Sequence, residues 1–120
     1  MGTVRQSLAK ADVIAEGRTR YLAHTENLMV AVVDFNDGPA SEPDPPHSHP
    51  HEQVSYVASG EIILIIGEEK THLVEGDLFS VQADVPHAVQ TLSKHVRLID
   101  AFNPIRKDFL ESQSRSSLDP

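Results

Sequence analysis

Between Ala11 and Phe102 the apolar residues come in short runs rich in Val, Ile, Leu, Phe and Tyr, broken every few positions by Gly, Pro, Asn or Asp. That is the pattern of many short strands, and no comparable stretch repeats with the period of a helix. It predicts nine strands: Asp12–Glu16, Arg20–His24, Leu28–Phe35, Gln53–Ser59, Glu61–Ile66, Lys70–Leu73, Asp77–Val81, Ala88–Thr91 and Val96–Phe102. The tightest hairpin signal is Ala58-Ser59-Gly60-Glu61, where glycine can take the positive φ of a short turn. Further turns fall at Gly67-Glu68-Glu69-Lys70 and Glu75-Gly76-Asp77. Four prolines between Asn36 and Pro46 exclude a central strand there and stiffen a long loop that runs into His47. Beyond Asn103-Pro104 the pattern allows one helical turn around Arg106–Leu110, then a polar, frayed tail. The expectation is an all-β chain, one antiparallel sandwich or barrel closed to hide its edges, with a domain over 1–110 and a tail over 111–120.

At 120 residues the chain suits one domain, which buries roughly two-thirds of the surface its unfolded form exposes. There is no cysteine, so disulfides and thiolate metal sites are excluded, and a metal would have to be held by His, Asp, Glu, Gln or Asn. No window approaches the ~18 apolar residues of a membrane span, so the reading is a cytoplasmic protein with no membrane partner. The formal charge of −8 and scattered Lys and Arg speak against nucleic acid. Acidity of this size is ordinarily a soluble surface; an anionic ligand would need a locally positive site to overcome it.

Three histidines alternate in PPHSHPHEQ, at 47, 49 and 51, with Glu52 and Gln53 behind them. The bland reading is a solvated histidine-rich loop. Alternation favours more: in a strand, positions 47, 49, 51 and 53 share one face and Glu52 points away, so Gln53 rather than Glu52 is the co-ligand expected beside the imidazoles. His24, His72 and His95 stand singly in strands and read as surface or satisfied residues. In the last strand Asp100 interrupts an apolar stretch. Facing outward it is an ordinary surface acid; facing inward it is a natural general acid or base, on the same side as Phe102.

These features resemble the cupin superfamily. Its first motif is matched at His47, His49, Gln53 and Gly60, although its leading glycine falls on Ser41. The second keeps Gly76 and His87 but departs at Gln82, Asp84 and Thr91. The resemblance spans about 28–102 and implies a jelly-roll β-barrel holding one divalent transition metal ion (Zn, Ni, Mn, Fe or Co) on His47, His49, Gln53 and His87. Glutamine in place of the motif's glutamate makes that shell neutral and leaves the dication its full charge, a stronger Lewis acid and anion attractor. His51 is expected to orient the shell from outside or to lie on the surface.

A narrower similarity, carried by HSHPHEQVSYVASGE and DAFNPIRKDFL, is to the KdgF-type pectin-degradation cupins. It implies active-site roles for Asp100, Phe102 and Arg106, and a small anionic sugar as substrate: a 4,5-unsaturated uronate, converted to a linear 5-keto-4-deoxyuronate. An iron-dependent dioxygenase, a metal-dependent cyclase and a non-catalytic sugar-binding module stay open beside it. A homodimer, formed through sheet edges, is expected.

Overall fold

The computed structural model describes residues 2–118. Its strands are β1 (Asp12–Ala15), β2 (Arg18–His24), β3 (Met29–Phe35), β4 (Glu52–Ser59), β5 (Glu61–Ile66), β6 (Glu69–Val74), β7 (Leu78–Val81), β8 (His87–Thr91) and β9 (Val96–Asn103). They form two antiparallel sheets, in the orders β1-β2-β3-β9-β4-β7 and β6-β5-β8. All nine expected strands are present, with ends shifted by a residue or two, and the architecture is the expected all-β one of two antiparallel sheets packed as a jelly roll. Among the described residues no ladder closes the two sheets into one continuous barrel. An isolated bridge between His47 and His87 ties the proline-rich loop to the start of β8.

The Gly60 turn is not a hairpin. β4 pairs with β7 and β9, whereas β5 pairs with β6 and β8, so the turn is a corner where the chain leaves one sheet for the other. Both edges of β4 are already taken, and its register with β9 slips between Val57 and Ser59, where the strand turns away. Gly60 has φ +86°, and a Cβ there would collide with the His95 carbonyl oxygen and lie 2.6 Å from Ser93 Oγ.

Alternation sets what faces inward. In β9 Val96, Leu98, Asp100 and Phe102 are buried, and in β4 Gln53, Ser55 and Val57 are. Val57, Ile62, Leu64, Phe79, Val81, Val96 and Leu98 form one core between the sheets. Leu22, Met29, Ala31 and Phe102 form a second. Burying each such large side chain stabilises the fold by about 1.5–3 kcal/mol. A helix, α1 (Lys107–Leu118), is longer than the single turn expected; Phe109 and Leu110 in its first turn pack with Ile105 on the second core. That packing explains why this end of the chain is helical despite a polar sequence. The expected tail is thus helical through Leu118, and positions 119 and 120 lie outside the described residues. Among the described residues no helix is long and apolar enough to cross a membrane.

Gly60→Ala is expected to lower stability by about 3 kcal/mol through left-handed strain and collision at the corner. Urea denaturation checks this, and an unchanged midpoint would show that the corner yields freely.

Candidate metal centre

Strand register builds the centre. In the β4/β9 ladder Gln53 stands opposite Phe102 and Ser55 opposite Asp100, so these four side chains meet on one inward face. The other half comes from the loop entering β4 and from the start of β8. His47 and His87 exchange both backbone hydrogen bonds, at 3.0 and 2.9 Å, which sets their rings 4.3 Å apart between centroids. His49 lies 4.9 Å from His87 by the same measure. One ligand nitrogen from each of His47, His49 and His87 falls within 4.8 Å of the others, a group that could hold a metal ion.

The second nitrogen of two of these rings is already used. His49 Nδ1 donates to the His51 carbonyl at 2.9 Å and His87 Nδ1 to the Val85 carbonyl at 2.9 Å. A carbonyl oxygen only accepts, so each neutral ring carries its proton on Nδ1 and presents the Nε2 lone pair. His87 Nε2 is buried without a partner. His49 Nε2 stands 3.1 Å from Gln53 Oε1. Gln53 is oriented from behind, its amide donating to Ser55 Oγ at 2.9 Å while the Ser55 hydroxyl donates to Asp100 Oδ1 at 2.6 Å. With Asp100 ionised, this relay turns the amide oxygen toward His49. Two acceptors then face each other at hydrogen-bond distance, which is repulsive unless a proton or a cation lies between them. The orphaned His87 nitrogen and this acceptor pair fit a divalent ion on the three imidazoles and Gln53 Oε1.

Burial lowers the pKa of His47, His49 and His87, and neighbouring positive groups, Arg106 among them, lower it further. The imidazoles are therefore neutral, and available as ligands, at and somewhat below neutral pH. Asp100 moves the other way: desolvation pushes its carboxyl up to about 6, against hydrogen bonds from Ser55 and Gln53 and the charge of Arg106. The acid faces inward, the orientation that the sequence had left open.

His47, Gln53, His87, Asp100, Phe102 and Arg106 all line one cavity of about 210 Å³. The Arg106 guanidinium lies 4.1 Å from the Phe109 ring centroid and 5.2 Å from that of Phe102, and pairs with Asp108 through Nε at 3.0 Å and Nη2 at 2.8 Å. His49 stands beside this cavity, next to His87 and Gln53. His51 is the exception among the alternating histidines. Residues 48–51 bend through Pro50 without a ladder partner, so strict alternation fails, and His51 supports His49 through its backbone carbonyl. Ser55, 1% exposed, was missed, although it sits two residues from Gln53 on the same face. Phe109 and Asp44 also line the cavity, brought there by the helix and by the pairing of Asp44 with Arg18 at 2.7 Å.

Residues 32–102 match the family described as "Cupin domain". The chain is 34% identical over 94 residues to the pectin degradation protein KdgF of Dickeya dadantii (strain 3937), covering 78% of this chain and 83% of that one. It is similar to the structure of KdgF from Halomonas sp., with a TM-score of 0.79, 30% identity, and coverage of 88% of this chain and 96% of that one. An RmlC-like cupin from Shewanella frigidimarina NCIMB 400 superposes with a TM-score of 0.81 at 30% identity, over 91% and 96% of the two chains.

Zinc or nickel added to the metal-free protein is expected to raise its thermal midpoint, and His87→Ala to abolish the rise; calorimetry with and without chelator checks both. A rise retained in the variant would remove His87 from the site. A second expectation concerns Asp100 in the metal-free protein. The folded chain holds this proton up to about pH 6 and the unfolded chain only to 3.8, so the stabilisation is complete below 3.8 and lost as the pH rises through about 6. Above that range the buried carboxylate costs about 3 kcal/mol. Asp100→Asn should therefore be the more stable protein at neutral pH and lose that advantage between pH 6 and 4. A stability difference that does not vary with pH would show that Asp100 titrates elsewhere.

Proposed function

The chain belongs to the cupin family and, within it, to the group of the KdgF-type pectin-degradation proteins, and we propose that it opens 4,5-unsaturated hexuronates to linear 5-keto-4-deoxyuronates. The observation that carries this reading is the convergence on one small cavity of the His47 and His87 imidazoles, a buried carboxyl that desolvation pushes up to about 6 and a guanidinium, with the third imidazole, His49, grouped beside the first two. The cavity, about 210 Å³, is of a size to take a small molecule such as one sugar ring.

The substrate is a cyclic hemiacetal whose ring oxygen is also an enol-ether oxygen. Opening breaks the bond between that oxygen and the anomeric carbon, while the anomeric hydroxyl loses its proton and becomes an aldehyde. The ring oxygen gains a proton and becomes an enol, which tautomerises to the ketone by protonation at C4 and loss of the enol proton. Atoms and electrons balance without an oxidant. A divalent ion on His47, His49, His87 and Gln53 would supply Lewis-acid polarisation of substrate oxygens.

The remaining work belongs to the chain's own groups. Arg106 has N–H donors beyond the two that Asp108 engages, and these clamp the substrate carboxylate. Asp100, with a carboxyl raised toward neutrality, moves protons between the anomeric hydroxyl, the ring oxygen and C4. Ser55 holds that carboxyl through its hydroxyl, fixing which oxygen is free to react. Phe102 gives the cavity an apolar wall. In a chain of net charge −8, one arginine and a dication held by four neutral ligands would make the cavity locally attractive to an anion.

The test is the loss of ultraviolet absorbance of the conjugated double bond in an unsaturated galacturonate, under anaerobic conditions. Acceleration over the spontaneous reaction is expected, with Asp100→Asn lowering kcat by roughly 100- to 10,000-fold and Arg106→Ala acting mainly by raising KM. No acceleration by the metal-loaded protein would sink the proposal, and oxygen consumption with iron would favour a dioxygenase.

A further inference from the structure

Asp44 lines the cavity with His47, Gln53, His87, Asp100 and Arg106, yet neither the metal centre nor the ring opening uses it. The chain fixes its position closely. Pro43 and Pro45 flank it, and a residue before proline is confined to extended backbone. Its amide donates to the Val89 carbonyl of β8 at 3.1 Å. Arg18 of β2 donates to both carboxylate oxygens, from Nη1 at 2.7 Å and Nη2 at 3.1 Å, and turns its Nε to Asp37 at 3.0 Å. The same guanidinium lies 4.8 Å from the ring centroid of Phe35, another wall of the cavity. One guanidinium between two carboxylates leaves this group of three with a net negative charge. Arg106 and Asp44 have separate counter-ions, Asp108 and Arg18, neither of which lines the space. A ligand there meets N–H donors at one residue and a carboxylate acceptor at the other.

We propose that Asp44 is the hydroxyl-binding residue of the site, accepting hydrogen bonds from ring hydroxyls of a substrate whose carboxylate lies on Arg106. This rests on the uronate reading and narrows it to a monoanion with hydroxyls set away from its carboxylate. A 4,5-unsaturated hexuronate has that layout, with the carboxylate on C5 and the C2 and C3 hydroxyls across the ring. A carboxylate offers about four lone-pair positions, and Arg18 takes two of them, so the others remain for hydroxyl donors. Such bonds to an ionised acceptor are about twice as strong as neutral ones. Fixation of the carboxylate by Arg18 and the prolines removes the ordering cost that binding would otherwise carry. The side chain is 37% exposed, so it keeps water in the empty cavity and exchanges it for hydroxyls on binding. A ring without hydroxyls would displace that water and give no donor in return. Asp44 also selects by repulsion, since a second carboxylate placed there would face the negative group of Asp37, Arg18 and Asp44.

Calorimetric titration of the zinc-loaded full chain with two saturated acids tests this without turnover. One is galacturonate; the other is tetrahydropyran-2-carboxylate, which has the ring and the carboxylate but no hydroxyls. Asp44→Asn is expected to weaken galacturonate binding roughly 10- to 100-fold and to leave tetrahydropyran-2-carboxylate unchanged or tighter. Asp37→Asn removes the other partner of Arg18, outside the cavity, and should change neither affinity. The metal-induced rise in thermal midpoint should persist in both variants. In the absorbance assay Asp44→Asn should raise KM with kcat retained. Galacturonate binding that survives Asp44→Asn overturns the inference. An equal loss for both acids, or the same loss in Asp37→Asn, overturns it too, because the position of the loop would then explain the effect. Should Asp44→Asn fail to fold, a parent protein that binds galacturonate no tighter than tetrahydropyran-2-carboxylate still overturns it. Asp44-dependent binding of galacturonate without turnover of the unsaturated sugar would uphold the inference and sink the ring-opening reaction alone.

Discussion

The position of β9 between β3 and β4 is the constraint on which the rest of the molecule depends. Held on both sides by backbone ladders, this strand has no freedom of register. Its alternation turns Leu98, Asp100 and Phe102 toward the interior and Ile99 and Ala101 outward. A slip of one residue would exchange the two sets, placing the acid in solvent and isoleucine beside the histidines. The same ladders put Ser55 opposite Asp100 and Gln53 opposite Phe102. The hydrogen-bond relay from Gln53 to Asp100 is therefore a consequence of strand pairing before it is a matter of side-chain chemistry.

Electrostatics inside the cavity oppose those of the chain as a whole. The molecule is strongly acidic, yet its interior collects neutral imidazoles, a guanidinium against two aromatic rings and an acid that burial drives toward its protonated form. Burial acts on both kinds of group by disfavouring charge, lowering the imidazole pKa values and raising that of Asp100. The imidazoles are thereby left neutral and free to act as ligands, while the Asp100 carboxyl is brought toward the range in which it can exchange a proton near neutrality. Gln53 belongs to the same logic, since a glutamate in its place would add a formal charge to the interior.

Much of this was legible in the sequence because short-range physics dictates it. Nine apolar runs separated by turn residues gave nine strands, and the alternation of His47, His49 and Gln53, with His87 added by the resemblance to the second cupin motif, pointed to side chains that the fold brings together. Ser55 carried no chemical signal in a run of strand residues, and only its place opposite Asp100 gives it a role. His51 had the right period but not the geometry, since a bend at Pro50 removes the ladder that alternation requires. The corner at Gly60 carried the residues of a hairpin, and which sheet its arms joined depended on strands far away in the chain.

The sequence by itself determined the strands, the turns and the alternating His47, His49 and Gln53, because propensity, period and spacing act over a few neighbours. Tertiary structure decided which face of β9 was buried, why α1 formed over a polar segment, and that Asp44 came to line the cavity. Each of these follows from pairing or packing between residues distant in the chain. Alternation reports that two faces differ, and only the partner across the ladder or the core says which of them faces water.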